Sequence, residues 1–199
     1  MKYIVVGLHC SGKQAVLNHL KDMGLKCGKL FSNIEKPSPE IYNSENYELY
    51  TDKDINYVFE NDAYIFIQEL QMPKLSFKPD RYYEGLSKYV FDRNDVIALS
   101  PDQLQMIPPG VLNGEFCFIW LDSTKTRRST RYHSEHRMYN YIDRENIERK
   151  DLSTFVKTLY SYNKPIIYFV DEEPLRVATI VYNTVIHPDT FDMFVKNFN

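Results

Sequence analysis

The sequence predicts an α/β protein: a largely parallel, five-stranded sheet covered by helices on both faces. At the N-terminus a buried-strand pattern, Lys2 to Val6, runs into Gly7-Leu8-His9-Cys10-Ser11-Gly12-Lys13, and a helical stretch follows at once. Further on, short apolar runs rich in β-branched and aromatic residues recur along the chain, the pattern of strands buried on both faces. Helical patterns fall between or after those runs, which makes the strands run parallel.

The strands are expected at Tyr3–Val6, Ala63–Ile67, Asp95–Leu99, Phe116–Leu121 and Pro165–Val170. The helices are expected at Lys13–Met23, Lys53–Asn61, Ser123–Tyr139, Arg144–Tyr162, Glu172–Val185 and Pro188–Phe198. Two regions depart from this alternation. Ser32 to Tyr50 is polar and carries Pro37 and Pro39, and Gln71 to Arg81 is a second proline-bearing connection. They read as an excursion from the core sheet, made of short antiparallel strands and loops. Thr124 to Glu148 is heavily charged, with Arg127, Arg128, Arg131, Arg137 and Arg144, and Arg149 just beyond.

Residues 7–13 fit G-x-x-x-x-G-K in the context that gives the motif meaning, strand before and helix after. Successive loop N–H groups and the helix N-terminus converge on one spot, which attracts phosphate, and Lys13 adds a full positive charge on a flexible stem. The position after the lysine, where a Ser or Thr hydroxyl would bind Mg²⁺, is Gln14. Its amide oxygen would reach the ion, or a water on it, from a different place.

A chain of 199 residues suggests one domain, with room for a substantial core. A net charge of −3 gives no bulk attraction to nucleic acid or to an anionic membrane. Cys10, Cys27 and Cys117 have no metal-ligand spacing and read as free thiols of a reducing compartment, so the expected location is cytoplasmic. The N-terminus reads as a core strand rather than a secretory leader, and no apolar run is long enough to span a bilayer.

Taken in order, these segments resemble the guanylate kinase family of nucleoside monophosphate kinases. After the phosphate loop, Phe31-Ser32 resembles a strand leading to a Ser. Tyr47-Glu48-Leu49-Tyr50-Thr51-Asp52 is similar to the family's Tyr-x-Phe-Val-Ser/Thr segment, and Ala63 to Glu69 to its Gly-x-Phe-Ile-Glu strand. Tyr82-Tyr83-Glu84-Gly85-Leu86-Ser87-Lys88 resembles its Tyr-Tyr-Gly-Thr-Ser turn with one residue inserted. Asp95-Val96-Ile97-Ala98-Leu99 resembles the central strand, and Phe118 to Ser123 with the arginine-rich helix resembles the fourth strand and lid. Ile147-Glu148-Arg149 is similar to the Ile-x-x-Arg after the lid, and Pro165 to Asp171 to the last strand.

The resemblance implies a P-loop NTPase three-layer α/β/α fold with a mainly parallel five-stranded sheet. It implies a nucleoside-monophosphate-binding excursion over about residues 32–92 and an arginine-rich lid over about 124–148 of a single domain spanning 1–199. It implies transfer of the γ-phosphoryl group of ATP, with Mg²⁺, to GMP or dGMP, by a monomer or homodimer. Gly7, His9, Cys10, Ser11, Gly12, Lys13, Gln14 and Ala15 would hold the donor. Lys13, Arg131, Arg137 and Arg149 would carry catalysis, because phosphoryl transfer asks mainly for positioning and charge neutralisation. Tyr47 and Tyr83 would donate hydroxyls to the acceptor phosphate, with Lys36 and Arg81 as its cationic partners. Ser32, Glu69 and Ser87 would meet the base; a carboxylate suits guanine, since it accepts from N1–H and the exocyclic amine together. Gln14 and Asp102 are the metal candidates.

Three positions depart from the family pattern: Gln14, the stretch Asn33 to Glu40, which offers Lys36 in place of two arginines, and Ser100-Pro101-Asp102, which replaces Asp-x-Asp. They leave open a binding module that has lost catalysis. Asp80-Arg81-Tyr82 is similar to a segment of thymidylate kinases and leaves open a dTMP acceptor, although Pro73 and Pro79 make the preceding segment a poor buried strand.

Overall fold

The computed structural model describes residues 1–8, 10–33, 47–70, 82–134, 152 and 154–193. In chain order the elements begin with β1 (Lys2–Gly7), α1 (Lys13–Asp22), β2 (Cys27–Gly28), β3 (Leu30–Ser32), β4 (Tyr47–Leu49) and α2 (Asp52–Glu60). Next come β5 (Tyr64–Leu70), β6 (Tyr82–Ser87), α3 (Lys88–Arg93), β7 (Val96–Leu99) and α4 (Pro101–Gln105). After a 3-10 turn, β8 (Phe116–Asp122) and α5 (Lys125–Ser134) follow. Then come α6 over 154–161, β9 (Ile166–Val170), α7 (Pro174–Ile186) and a second 3-10 turn (Pro188–Met193). The chain divides into two compact units, Met1–Gly28 with Asn94–Asn199, and Lys29–Arg93.

The first unit is built on a parallel five-stranded sheet in the order β2-β7-β1-β8-β9. Its strands are buried on both faces, as their unbroken apolar runs require. Tyr3, Val5, Ile119, Leu121, Ile167 and Phe169 pack under Val16, Leu17 and Leu20 of α1 and Val177, Ala178 and Val181 of α7. On the other face, the Trp120 ring meets Phe155 of α6 edge-on at 5.8 Å, and Leu104 of α4 is fully buried. Two helical layers thus sandwich the sheet, and burying each large side chain contributes about 1.5–3 kcal/mol. The phosphate loop leaves the carboxyl end of β1, the central strand, where ligands bind in open α/β sheets.

One strand assignment changes. Ala63–Ile67 is not a core strand of this sheet; Cys27–Gly28 takes the fifth place, paired with Val96 and Ile97. The second unit holds the displaced strand in a four-stranded mixed sheet, β4-β3-β6-β5. There β3 pairs antiparallel with β6 and parallel with β4. Tyr82 to Ser87 is an extended strand, not a turn, because it sits in the middle of this sheet. Ile55 and Val58 of α2 cover one face, on Phe31, Tyr50, Tyr64, Ile67 and Tyr83. The helix starts with a capping box, in which Thr51 and Asp54 bond each other's backbone.

Candidate functional site

The phosphate loop is shaped by two close approaches and two left-handed residues. Gly7 has no room for a side chain: a Cβ there would lie 2.5 Å from Ser11 Oγ and 2.7 Å from the Leu121 carbonyl oxygen. Cys10 adopts φ 58, and Gly12 adopts φ 97 as the N-cap of α1, a left-handed conformation natural to glycine. The Ser11 N–H closes the turn on the Leu8 carbonyl at 3.1 Å. This bend presents the first turn of α1, whose N–H groups have no intrahelical acceptor, toward the loop. Gln14 and Ala15 sit in that turn, and both are half-buried.

Three side chains give the loop its charge and polarity. Lys13 Nζ donates to the carbonyls of Gly7 at 2.6 Å and Leu8 at 2.8 Å, so the ammonium is folded over the loop. Ser11 is 6% exposed and its Oγ has no hydrogen-bond partner. An orphan buried hydroxyl costs about 1–3 kcal/mol, and an anionic oxygen in the loop would satisfy it. From α5, Arg131 Nη1 donates to the Cys10 carbonyl at 3.3 Å, and it lies 3.1 Å from where a Cβ on Gly12 would stand. The structure therefore brings Lys13, Ser11, Gly12 and Arg131 together. Among the other donor-site candidates His9 lies outside the described residues, as do Arg137 and Arg149 of the expected catalytic set.

The start of α5 is tied to the end of β9. Asp171 Oδ1 accepts from the Thr124 N–H at 2.8 Å and from Ser123 Oγ at 3.1 Å, and the Thr124 bond leads the causes that hold its carboxyl below the ordinary range. Arg127 donates to the Asp171 carbonyl and to Glu173. Arg128 is buried at 3% exposure and donates to the Ser123 carbonyl. Beside them Tyr168 donates to Asp122; burial, then that bond, pushes its phenol up to about 12. A small cleft at the ends of β8 and β9 is lined by Ser11, Asp122, Ser123, Asp171 and Glu172 over an apolar floor of Val16, Phe169 and Val177. The pairing within this second cluster was not legible in the sequence, since its bonded partners across β8, α5 and β9 lie 44 to 48 residues apart and make no motif.

The metal candidates fit less well. Gln14 Nε2 donates to Asn18 Oδ1 at 3.0 Å. Asp102 is exposed in the first turn of α4, and β7 is followed by Ser100, the N-cap of α4, whose N–H donates to Gln103 Oε1 at 2.8 Å. Among the described residues no group of three or more His, Cys, Asp or Glu is placed to hold a metal ion. These side chains do not form a cage for a divalent ion.

In the second unit the expected base contacts divide between the two faces of the sheet. Ser32 lies opposite Glu84, and Gln68 also lies opposite Glu84, so these three share a face. Ser32 is 2% and Glu84 5% exposed; Gln68 Nε2 donates to Glu84 Oε1 at 2.8 Å, and Ser32 Oγ donates to the Tyr83 carbonyl at 3.0 Å. Glu69 and Tyr83 pair on the opposite face, where Tyr83 packs edge-on to Phe59 at 5.4 Å and Glu69 is exposed. Ser87 belongs to that second face, and its Oγ accepts from the Val90 N–H at 3.2 Å at the start of α3. Tyr47 is half-buried on β4. Lys36 and Arg81 lie outside the described residues. Ser32, Gln68 and Glu84 thus form a polar cluster beside the buried Phe66 and Leu86 on one face of this sheet, and sequence reading singled out only the first of them.

No family model and no curated protein matches the chain. Among solved structures it is similar to a guanylate kinase from Anaplasma phagocytophilum, with TM-score 0.51 and 12% identity, covering 94% of this chain and 85% of that one. It is also similar to a shikimate kinase from Acinetobacter baumannii in complex with shikimate, with TM-score 0.44, 12% identity and 94% of each chain covered. A sugar kinase from Janibacter sp. gives TM-score 0.41 and 14% identity, covering 95% and 97%. At such identities the likeness is one of fold: the chain has a divergent, guanylate kinase-like P-loop kinase fold.

Proposed function

We propose that this protein is an ATP-dependent nucleoside or deoxynucleoside monophosphate kinase of guanylate kinase type, with GMP or dGMP as acceptor. The observation that carries this reading is the meeting of Lys13 and Arg131 at one phosphate loop. A loop that only binds phosphate needs its N–H groups. An arginine brought from a separate, arginine-rich helix adds charge where a migrating phosphoryl group needs it.

In the proposed reaction, the backbone of Gly7 to Lys13 and the first turn of α1 hold the donor's phosphates. Ser11 Oγ donates to a phosphate oxygen, and Lys13 turns its ammonium from the Gly7 and Leu8 carbonyls onto the tail. Arg131 covers the tail and excludes water, with Arg137 and Arg149 proposed to complete the cationic cover. Mg²⁺ would neutralise donor charge. The side chains of the described residues supply no cage for it, so Gln14 and Asp102 are proposed to act on it through water at most. Ser32, Gln68 and Glu84 support the acceptor reading, because a buried carboxylate and amide on one face can read donors on a base edge. The reading uses Tyr47, Lys36 and Arg81 for the acceptor phosphate.

The test is a coupled turnover assay across all monophosphates, joined to thermal shifts with ATP, GMP, dGMP and dTMP, with and without Mg²⁺. A ligand that binds only the folded state raises its melting temperature. Turnover with GMP or dGMP is the expected result. Turnover with dTMP alone would reassign the acceptor. No shift and no turnover with any nucleotide at millimolar concentration would overturn the kinase reading in favour of a binding module.

A further inference from the structure

We infer that Asp171 is a positioning residue: from the end of β9 its carboxylate fixes where α5 begins, and through that helix it sets Arg131 against the phosphate loop. The functional consequence rests on the kinase reading above; the structural consequence does not.

The start of α5 is capped locally by one long bond, from the Arg127 N–H to Thr124 Oγ1 at 3.4 Å, and by no acidic side chain. Helix N-termini favour acidic residues. The first turn of α5 has none; it carries Lys125, Arg127 and Arg128. Its positive charge and the Thr124 N–H are left to find acceptors from elsewhere. Asp171 supplies one from 47 residues away along the chain, through Oδ1 to the Thr124 N–H at 2.8 Å. The same oxygen takes the Ser123 hydroxyl at 3.1 Å. The Asp171 N–H donates to the Asp122 carbonyl at 2.9 Å, and its own carbonyl accepts from Arg127. One residue thus uses its carboxylate, N–H and carbonyl to join β8, α5 and β9.

Asp171 does this at φ 49, a left-handed conformation that costs an L-residue about 1–2 kcal/mol. The surrounding bonds hold it there. Four residues beyond Arg127, on the same helical face, stands Arg131. With Arg127 anchored to the Asp171 carbonyl and to Glu173, the face is turned so that Arg131 Nη1 reaches the Cys10 carbonyl at 3.3 Å. Asp171 itself is not assigned a contact with either nucleotide. It acts through the helix.

The experiment uses the full chain with Asp171→Ala and Asp171→Asn, and two readouts. The first is the rate at which Cys10 is alkylated by iodoacetamide, followed by peptide mass. Burial pushes the Cys27 thiol to about 11 and the Cys117 thiol to about 12, so neither competes at neutral pH. Asp171→Ala removes the carboxylate that holds Ser123 and Thr124 but keeps the main-chain carbonyl that holds Arg127; freeing the start of α5 in this way should expose the loop and speed Cys10 alkylation severalfold. Asp171→Asn keeps an amide oxygen for the Thr124 N–H and should restore a rate near that of the unaltered protein. The second readout is turnover: Asp171→Ala should lower kcat with the acceptor KM unchanged, and Asp171→Asn should recover most of it. Arg127→Gln is the second variant, expected to move both readouts in the direction of Asp171→Ala should that protein fail to fold. Unchanged Cys10 reactivity in folded Asp171→Ala, or in Arg127→Gln, overturns the positioning role. An unaltered protein that turns over no nucleotide removes the kinase reading but leaves the alkylation result to decide this one.

Discussion

The Lys13 ammonium lies 2.6 Å from the Gly7 carbonyl oxygen, the last residue of β1, and so bridges the two ends of its own loop. Those carbonyls are weak acceptors beside a phosphate dianion, so a ligand draws the ammonium away at small cost. Lys13→Ala should therefore abolish turnover and reduce ATP stabilisation while costing only about 1–3 kcal/mol of folding stability. The check is a pair of denaturant curves with and without ATP, beside the turnover assay. A variant that keeps its activity would remove the lysine from the mechanism.

The phosphate loop and the sheet around it were legible because both rest on local pattern: a motif in its strand–helix context, and unbroken apolar runs. The two-residue β2 offers no periodicity, so Ala63–Ile67 stood in its place among the core strands. Which side chains share a face of the second sheet was harder to read for a different reason. Glu69 or Gln68 faces a given side according to parity along β5, and a register shift between Tyr64 and Phe66 breaks that parity. A bulge moves every following side chain relative to the pairing partner. The Asp171 cluster is a product of tertiary folding alone.

Gly85 makes the second unit's core possible. A Cβ there would lie 2.5 Å from the Phe31 ring and 2.5 Å from the Phe66 carbonyl oxygen. Phe31 is 2% exposed and stacks on Tyr50 at 4.7 Å, so its ring has nowhere to move. Gly85→Ala should destabilise residues 29–93 by about 1–3 kcal/mol, the usual cost of overpacking. Hydrogen exchange should accelerate in β3, β5 and β6, while β1 and β8 keep their protection. Uniform exchange across the whole chain would contradict a local effect.

The Tyr168–Asp122 pair predicts part of the alkaline stability limb. Tyr168 titrates in the folded protein near 12, against an ordinary value of 10.0. Above the ordinary value the unfolded chain gives up the proton while the folded chain keeps it. The stability contributed is therefore complete below the ordinary value and is lost as pH rises toward the folded one. Tyr3, Tyr50 and Tyr162 are raised by burial as well, so the limb persists in Tyr168→Phe, but shallower. Melting temperature against pH for both proteins checks it; coincident alkaline limbs would show that Tyr168 does not contribute.

Gln14 marks where this phosphate loop departs most from its motif, and it can be reverted. Its amide nitrogen is spent on Asn18 in a partly exposed i,i+4 contact worth about 0.2–0.5 kcal/mol. Gln14→Thr gives that up and adds a β-branched residue in the first turn of α1, a further cost of a few tenths. In return it places a hydroxyl on a short stem beside Lys13, the chemistry Mg²⁺ prefers to a long amide. On the kinase reading, the thermal shift given by ATP with Mg²⁺ should grow relative to ATP with a chelator, and kcat should rise. If the metal-dependent part of the shift instead falls, the amide oxygen of Gln14 is itself the group that engages the ion. The loop would then be an adapted site, with the departure from the motif part of its chemistry.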